Sequence, residues 1–430
     1  MSETVAEVVR ARLCLGCGTC QVVCPADAIR MRETPAGLLE AMVSEACTEC
    51  GKCREVCPGR AVDFGLAPDV DPFVGELRGV FVGHACEPAV RSGAQSGGVV
   101  SALLLHLLDT GTSDAALTTS LPFDGRLRPA PALARTRDAV LQARGSKYCP
   151  VATNAALLEL DEGERVAVVG VSCQLHGLHQ LVERSAQWAE RVDCTIGLFC
   201  DRALLYLAND LLARDVGLDA RDLVAVELRS TKRQGWPGEL CFYPRSGIPR
   251  AYPYSLKVGI KDFVTPPRCR LCFDKLNILA DVSVGDPWGV ADSPEGESVV
   301  LARTARGLAL LDEAIASGLL ELREIGLTAV LDGQSVHERA RGFAGYSTAW
   351  TSMGRPLPEF TSLGALNDIA VDPATLDTYR QRLKFNCAVA ESPTKKSALA
   401  TIGRHRRWLA AKGAVRRLVP RSAMGRHADQ

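Results

Sequence analysis

Residues Cys14 to Pro25 read CLGCGTCQVVCP, and Cys47 to Pro58 read CTECGKCREVCP, so one pattern, C-x2-C-x2-C-x3-C-P, is written twice. Three thiolates two residues apart wrap a tight loop round one iron–sulfur cubane. The fourth opens the next helical segment and reaches back to the other cubane. Cys14, Cys17, Cys20 and Cys57 are therefore expected to hold one 4Fe-4S cluster, and Cys47, Cys50, Cys53 and Cys24 a second. Gly16, Gly18 and Gly51 let the loop backbone approach closely. Zinc also accepts C-x2-C pairs, but two four-cysteine runs each closed by proline suit its sites poorly. The expected fold here is an α+β ferredoxin-like domain over residues 1–65. Two clusters make a wire with no pocket, so the chemistry must lie further along the chain.

Working outward, 17 cysteines in 430 residues need a reason, because a chain this long can bury a core without covalent staples. MSETVAEVVRAR at the start carries no apolar h-region, so a cytoplasmic, reducing location is expected and the thiols should serve metals or chemistry. The longest strongly apolar run, Val99 to Leu108 with His106 inside it, is too short to span a bilayer. Apolar residues at 47% and charged residues at 23% exclude a disordered or fibrous chain. Lys+Arg and Asp+Glu are both 50, which gives no global pull toward any partner, and no nucleic acid is expected.

The cysteine density drops after Cys57, and GLAPDVDPFVGE (65–76) reads as a linker, placed at residues 66–79. Residues 80–330 alternate strand-like and helical patterns, which predicts an α/β domain. Val166–Val171 and Val282–Val284 are the expected buried strands; Ala94–Leu108 and Asn154–Glu162 are the expected helices. Residues 331–430 are expected to be a helical extension with a basic tail. Between Lys395 and Arg426 the chain has ten Lys/Arg and no acidic residue, a pattern that suits an acidic partner or an anionic membrane surface if it is not simply a solvated helix.

Four segments of the large domain stand out. QSGGVV (95–100) and GSKYCP (145–150) each put small residues at what reads as a helix N-terminus, where an anion binds well, although a plain turn and a solvated Lys147 are the commoner explanation of such segments. GVSCQ (170–174) follows a strand, and RCRLCFDKLNILADVSVGDPWG (268–289) carries a C-x2-C pair. Cys173, Cys200, Cys269 and Cys272 could form a third cluster or be buried structural thiols; spacing does not choose. Cys86, Cys149, Cys194, Cys241 and Cys387 lack paired spacing and read as plain thiols. Asp286, near Lys275 and Trp288, either orients a ligand or caps the next turn.

QSGGVVSALL, GSKY, GVSCQ, IGLFC (196–200) and CRLCFDKLNILADVSVGDPWG together resemble the family of the coenzyme F-420 hydrogenase/dehydrogenase beta subunit, over about residues 80–330. That family includes 7-hydroxymethyl chlorophyll a reductase. The resemblance implies an α/β flavin-binding domain with FAD and a further 4Fe-4S cluster. Ser96, Gly97 and Gly98 match its flavin-contacting turn, Gly145, Ser146, Lys147 and Tyr148 its GSKY segment, and Cys173, Cys200, Cys269 and Cys272 its own cluster ligands. Two departures stand out: Ser172 replaces a usual proline, and Asp201 and Arg202 replace usual glycines, which leaves the substrate open. The function implied is an iron–sulfur flavoprotein oxidoreductase that moves electrons between a ferredoxin-type or deazaflavin (coenzyme F-420) carrier and an organic substrate. The alternative is an electron-transfer subunit that feeds a partner dehydrogenase or hydrogenase.

Overall fold

The computed structural model describes residues 4–361 and 371–418, with side chains of the last stretch as far as Lys412. Its centre is an eight-stranded sheet. Across it the strands run Leu320–Glu324, Gly79–Ala85, Ser298–Ala302, Val282–Gly285, Val192–Leu198, Val166–Val171, Ala115–Ser120, Ala130–Ala134. The four from Val282–Gly285 to Ala115–Ser120 are parallel, and every pairing outside them is antiparallel. Parallel strands are buried on both faces and read as continuous apolar runs, which is why VAVVGV and VSV are legible as strands.

Period-two alternation sorts the side chains. Ala116, Ala167 and Ile196 face the helices Val99–Asp109 and Ala305–Ala316, packing on Leu103, Leu107 and Leu311. Leu117, Val166 and Val168 face the other way, onto Leu175, Leu178 and Leu181 of the helix Ser172–Arg184. The helix expected from Ala94 begins at Val99, because Gly98 (φ 78°) turns the chain in the left-handed region first. The helix expected over Asn154–Glu162 is a 3-10 segment, Thr153–Glu159.

Between two of the parallel strands the chain inserts a second layer. It consists of the helix Leu207–Asp215, a three-stranded antiparallel sheet (Leu223–Ser230, Glu239–Pro244, Arg250–Tyr252) and the helix Ser255–Ile260. Leu211, Leu212, Leu228 and Phe242 give it its own core.

The cysteine-rich front is a small α+β unit, the hairpin Ile29–Glu33 and Leu39–Val43 with single-turn helices Thr19–Val22 and Lys52–Glu55. The segment read as a linker is pinned: Phe73 and Val74 are buried, the Phe73 ring meets Phe273 edge-on at 6.0 Å, and Arg303 donates to the Val74 carbonyl at 2.8 Å. The C-terminal part is also more than an extension. Glu359–Thr361 pairs in parallel with Ala61–Asp63, and Trp350, Leu383 and Cys387 share one core with Val5, Val8, Leu13 and Cys53. These late residues complete a wall that the front unit, too small for a core of its own, needs. The helix Lys395–Leu418 lies on Leu207–Asp215, with Arg406 paired to Asp215 at 2.8 Å; the basic tail beyond Leu418 lies outside the described residues.

Gly177 marks how tightly front unit and sheet meet. A Cβ there would stand 2.4 Å from the Thr19 hydroxyl and 3.3 Å from the Cys17 sulfur. Gly177→Val is expected to cost about 1–3 kcal/mol, as overpacking does, read as a lower midpoint in thermal unfolding. An unchanged midpoint would mean that the two units do not press together there.

Candidate redox and cofactor site

The thiols of Cys14, Cys17, Cys20 and Cys57 enclose a small cavity of about 20 Å³ with Val5, Val8, Pro58 and Gly59. Cys57 comes from the second run yet stands with the first run's three thiols, the crossover that the motif demands. Gly18 (φ 87°) and Gly51 (φ 77°) supply the left-handed turns that aim each loop. Burial pushes the Cys14 thiol up to about 11 and Cys57 higher still, with the thiols of Cys17 and Cys14 adding to Cys57's rise. Such thiols become thiolates only against a bound cation. Cys53 is likewise raised by burial, then by its neighbours Cys47 and Cys50. The Cys24 sulfur accepts a bond from the Ala28 amide at 3.2 Å, and its association with that second group rests on the motif. Cys50 is exposed and Cys47 half-buried, whereas Cys17, Cys20 and Cys57 are buried. Among the described residues no three His, Cys, Asp or Glu side chains close round a point as a single ion requires. Thiolates at the corners of a cubane stand further apart than that.

The sheet positions a second set. Cys173 follows the strand ending at Val171, Cys200 lies two residues beyond Leu198, and Cys269 and Cys272 sit on and just after the turn Pro267–Arg270. Burial raises the Cys173 thiol, and Cys200, Cys269, Cys272 and then Cys17 act on it in that order, so the four are neighbours and the front unit is next to them. Ser172, which stands where a proline is usual, donates to the Asp274 carbonyl at 2.9 Å and ties the strand end to the Cys272 loop. Arg339 joins the loops from behind, donating to the carbonyls of Cys272 at 3.3 Å and Cys200 at 3.2 Å. Asp201 and Arg202 belong to that brace: Asp201 pairs with Arg339 at 3.3 Å, and Arg202 reaches Asp262 at 2.8 Å.

In front of these thiols, off the carboxyl ends of the parallel strands, lies a cavity of about 440 Å³. Open α/β sheets bind ligands at this end. Ser96, Gly98, Gly145, Ser146, Lys147 and Tyr148 line it, together with Cys173, Cys200 and Cys269; Cys14 of the front unit lines it as well. Gly97 lies behind the wall, where a Cβ would stand 2.5 Å from the Gly83 carbonyl oxygen.

The two turns differ from expectation. The Gly97 amide is spent on the Ser298 hydroxyl at 3.0 Å and the Ser146 amide on Gln95 at 3.1 Å, so neither is free for an anion. GSKY opens no α-helix; it closes one. Lys147 donates to the carbonyls of Ala143, Arg144 and Gly145 at 2.5, 2.9 and 2.7 Å, capping the end of Arg137–Gln142 rather than standing in solvent. Burial lowers it to about 7. Asp286 caps no turn: its carboxylate takes the Arg229 guanidinium.

Sequence reasoning missed several lining residues, among them Arg229, Tyr254 and Lys257 on the inserted layer. Arg229 donates to the Tyr148 hydroxyl at 3.3 Å. Lys257 donates to the Tyr254 hydroxyl at 2.9 Å and sits 3.1 Å from the Tyr148 ring centroid, with no carboxylate of its own among the described residues. Burial, then the Arg229 charge, lowers it to about 6. The insertion has no motif spacing, so no signal marked them. Cys149, read as a plain thiol, also lines the cavity. The buried nitrogens Arg229 Nη2 and Gln95 Nε2 have no partner. A cavity with idle donors, and with buried lysines that would take up a proton on meeting an anion, fits a large, polar, anionic cofactor.

Two thiol sets joined across one interface to a cavity at the end of an α/β sheet define an iron–sulfur redox protein. Residues 13–62 match the 4Fe-4S dicluster domain; residues 80–159 and 163–327 match the N-terminal and C-terminal parts of coenzyme F420 hydrogenase/dehydrogenase, beta subunit. The chain belongs to the family of the coenzyme F420 hydrogenase/dehydrogenase beta subunit. It is 29% identical to one of the subunits of the F(420)H(2) dehydrogenase of Methanosarcina mazei, over 71% of this chain and 84% of that one. It is 27% identical to the beta subunit of the coenzyme F420 hydrogenase of Methanosarcina barkeri, over 59% and 84%. To the 7-hydroxymethyl chlorophyll a reductase of Oryza sativa it is 29% identical, over 53% and 48%. Its fold matches a chain of the F420-reducing [NiFe] hydrogenase complex of Methanosarcina barkeri with a TM-score of 0.54 and 22% identity, covering 67% of this chain and 98% of that one.

Proposed function

We propose that this protein converts between one-electron and two-electron carriers, with deazaflavin coenzyme F420 or a ferredoxin as one carrier and an organic compound as the final partner. The observation that carries this reading is the shared cavity, lined by Cys14 of the front unit and by Cys173, Cys200 and Cys269 of the sheet. When bound, 4Fe-4S clusters supply single electrons and FAD supplies the two-electron exchange with an organic molecule. Cys14, Cys17, Cys20 and Cys57 would hold the first cluster, Cys24, Cys47, Cys50 and Cys53 the second, and Cys173, Cys200, Cys269 and Cys272 the third. The residues Ser96, Gly98, Gly145, Ser146, Lys147 and Tyr148 would hold FAD, with Arg229 and Lys257 facing its negative charge. Cys50 is exposed, which supports the second site as the end at which a protein carrier would exchange electrons.

The test is anaerobic quantitation of iron, sulfide and flavin, followed by reduction with ferredoxin, reduced F420 and NAD(P)H. About twelve iron and one FAD per chain are expected, with bleaching by reduced F420 or ferredoxin. Reconstituted protein without flavin overturns the FAD assignment.

A second reading, an electron-transfer subunit serving a partner dehydrogenase or hydrogenase, is favoured by the names of the relatives, several of which are subunits. It predicts that no organic acceptor turns over until a partner is added. No helix among the described residues is long and apolar enough to cross a membrane. We place the protein in the cytoplasm because its proposed clusters need reducing conditions. We assign the basic tail, residues 395–430, contact with an acidic protein or an anionic membrane surface, and deletion of residues 395–430 should abolish co-sedimentation with anionic liposomes. Unchanged sedimentation would end that assignment.

A further inference from the structure

Arg268 is buried, 4% exposed, between the front unit and the sheet. It precedes Cys269 and lines the cavity beside Cys14, Cys173 and Cys200. One arm donates to the Leu271 carbonyl at 2.6 Å, its Nε has no partner, and its plane lies 5.8 Å from the Phe360 ring centroid. Among the described residues no carboxylate pairs with it, although a buried charge is costly without a partner. The groups that act on it are the thiols of Cys272, Cys269, Cys173 and Cys57, three from the sheet's set and one from the front unit's first set, and they carry charge only as cluster ligands. Its counter-charge is thus divided between two thiol sites.

We propose that Arg268 is a positioning residue for electron transfer between the first and third cluster sites, a fixed cation whose field favours an added electron on the sheet's site. This rests on the three-cluster reading above. One electron crosses per step: the front site is oxidised by one, the sheet's site is reduced by one, and no bond or proton moves. Arginine is suited to this because its planar guanidinium can hold the Leu271 carbonyl with one arm while its delocalised charge faces both sites. Cys272, Cys269 and Cys173 act on Arg268 more strongly than Cys57 does, which makes the sheet's site the more affected.

The test is anaerobic redox titration of the full-length holoprotein, followed by electron paramagnetic resonance, for wild type, Arg268→Gln and Arg268→Lys. Iron and sulfide are counted on each sample. Arg268→Gln with full iron is expected to lower the reduced-to-oxidised ratio of one cluster about tenfold at a fixed poise, a shift of about 59 mV for one electron. Arg268→Lys, held charged by the anionic clusters on either side, should keep the wild-type curve to within about twofold. A full-iron Arg268→Gln protein with an unmoved curve overturns the proposal while leaving the cluster reading intact; wild type without iron overturns the cluster reading itself. Should Arg268→Gln lose iron, the lysine variant decides. Full iron and an unmoved curve support the charge, whereas a displaced curve or lost iron overturns it.

Discussion

Cys57→Ser is expected to empty the first cluster site rather than the second, and to cut electron flow between Cys50's end of the molecule and the cavity by about a hundredfold or more. The sequence places Cys57 in the run that begins at Cys47, but its thiol closes the small cavity with Cys14, Cys17 and Cys20. A serine oxygen is a poor ligand for iron in a site built for four thiolates, so about four iron per chain should be lost. That site lies between the exposed second group and the sheet: Cys14 lines the large cavity, and Cys17 stands against Gly177 and near Cys173. Without it, an electron arriving at the surface has no intermediate stop. The checks are an iron count, the reduced-state resonance spectrum and stopped-flow reduction of bound flavin. Retention of the first cluster's signal, or reduction at the wild-type rate, would contradict the crossover. Cys24→Ser should remove the other signal, so the pair of variants separates the two assignments.

Lys257→Met is expected to weaken FAD binding about tenfold to a hundredfold, the loss of one charge-assisted contact. It should also flatten the pH dependence of the empty protein's stability. Lys257 is buried, and burial followed by the Arg229 charge lowers it to about 6 from 10.5. Between those two values the unfolded chain binds a proton that the folded chain does not. The Lys257 contribution to the empty fold's stability therefore rises with pH from about 6 towards 10 and is lost as the solution is acidified through that window. Lys147, lowered by burial to about 7, and Lys275, lowered to about 8, contribute in the same direction. An anion in the cavity reverses the balance at Lys257, so binding near neutrality should take up a proton and weaken as pH rises. Fluorescence titration with FAD on flavin-free protein at several pH values reads the binding, and thermal unfolding over the same range reads the stability. Equal affinities for variant and wild type would remove Lys257 from the binding surface.

Local spacing made some of this molecule legible and not the rest. The eight front cysteines could be assigned to two sites because their chemistry is set by short-range geometry: loops of two residues and a proline stop. The buried strands at Val166 and Val282 could be read because parallel strands covered on both faces are uniformly apolar. The helix read over Asn154–Glu162 is present as a 3-10 rather than an α-helix, and Asn154 is held there by tertiary bonds. Its side chain donates to Thr19 and to the Gln174 carbonyl, each at 2.8 Å, and its amide to the Cys17 carbonyl. Those contacts hold a tighter 3-10 path. Lys147 looked solvated because nothing in GSKY announces that it would fold back onto the helix before it.

By itself the sequence determined that Cys57 stands with Cys14, Cys17 and Cys20, where the parallel strands lie, and which segments approach the sheet's carboxyl end. Only the tertiary structure decided that Cys14 and Cys173 share a cavity, that Arg229 and Lys257 from an unmarked insertion face it, and that Arg268 lies between two thiol sets. It alone showed that Trp350 and Leu383, far along the chain, wall in the front unit. The physical reason is that ligand spacing and strand burial are encoded over a few neighbouring residues. The meeting of distant cations with distant thiols depends on how whole layers pack, and no local pattern carries that.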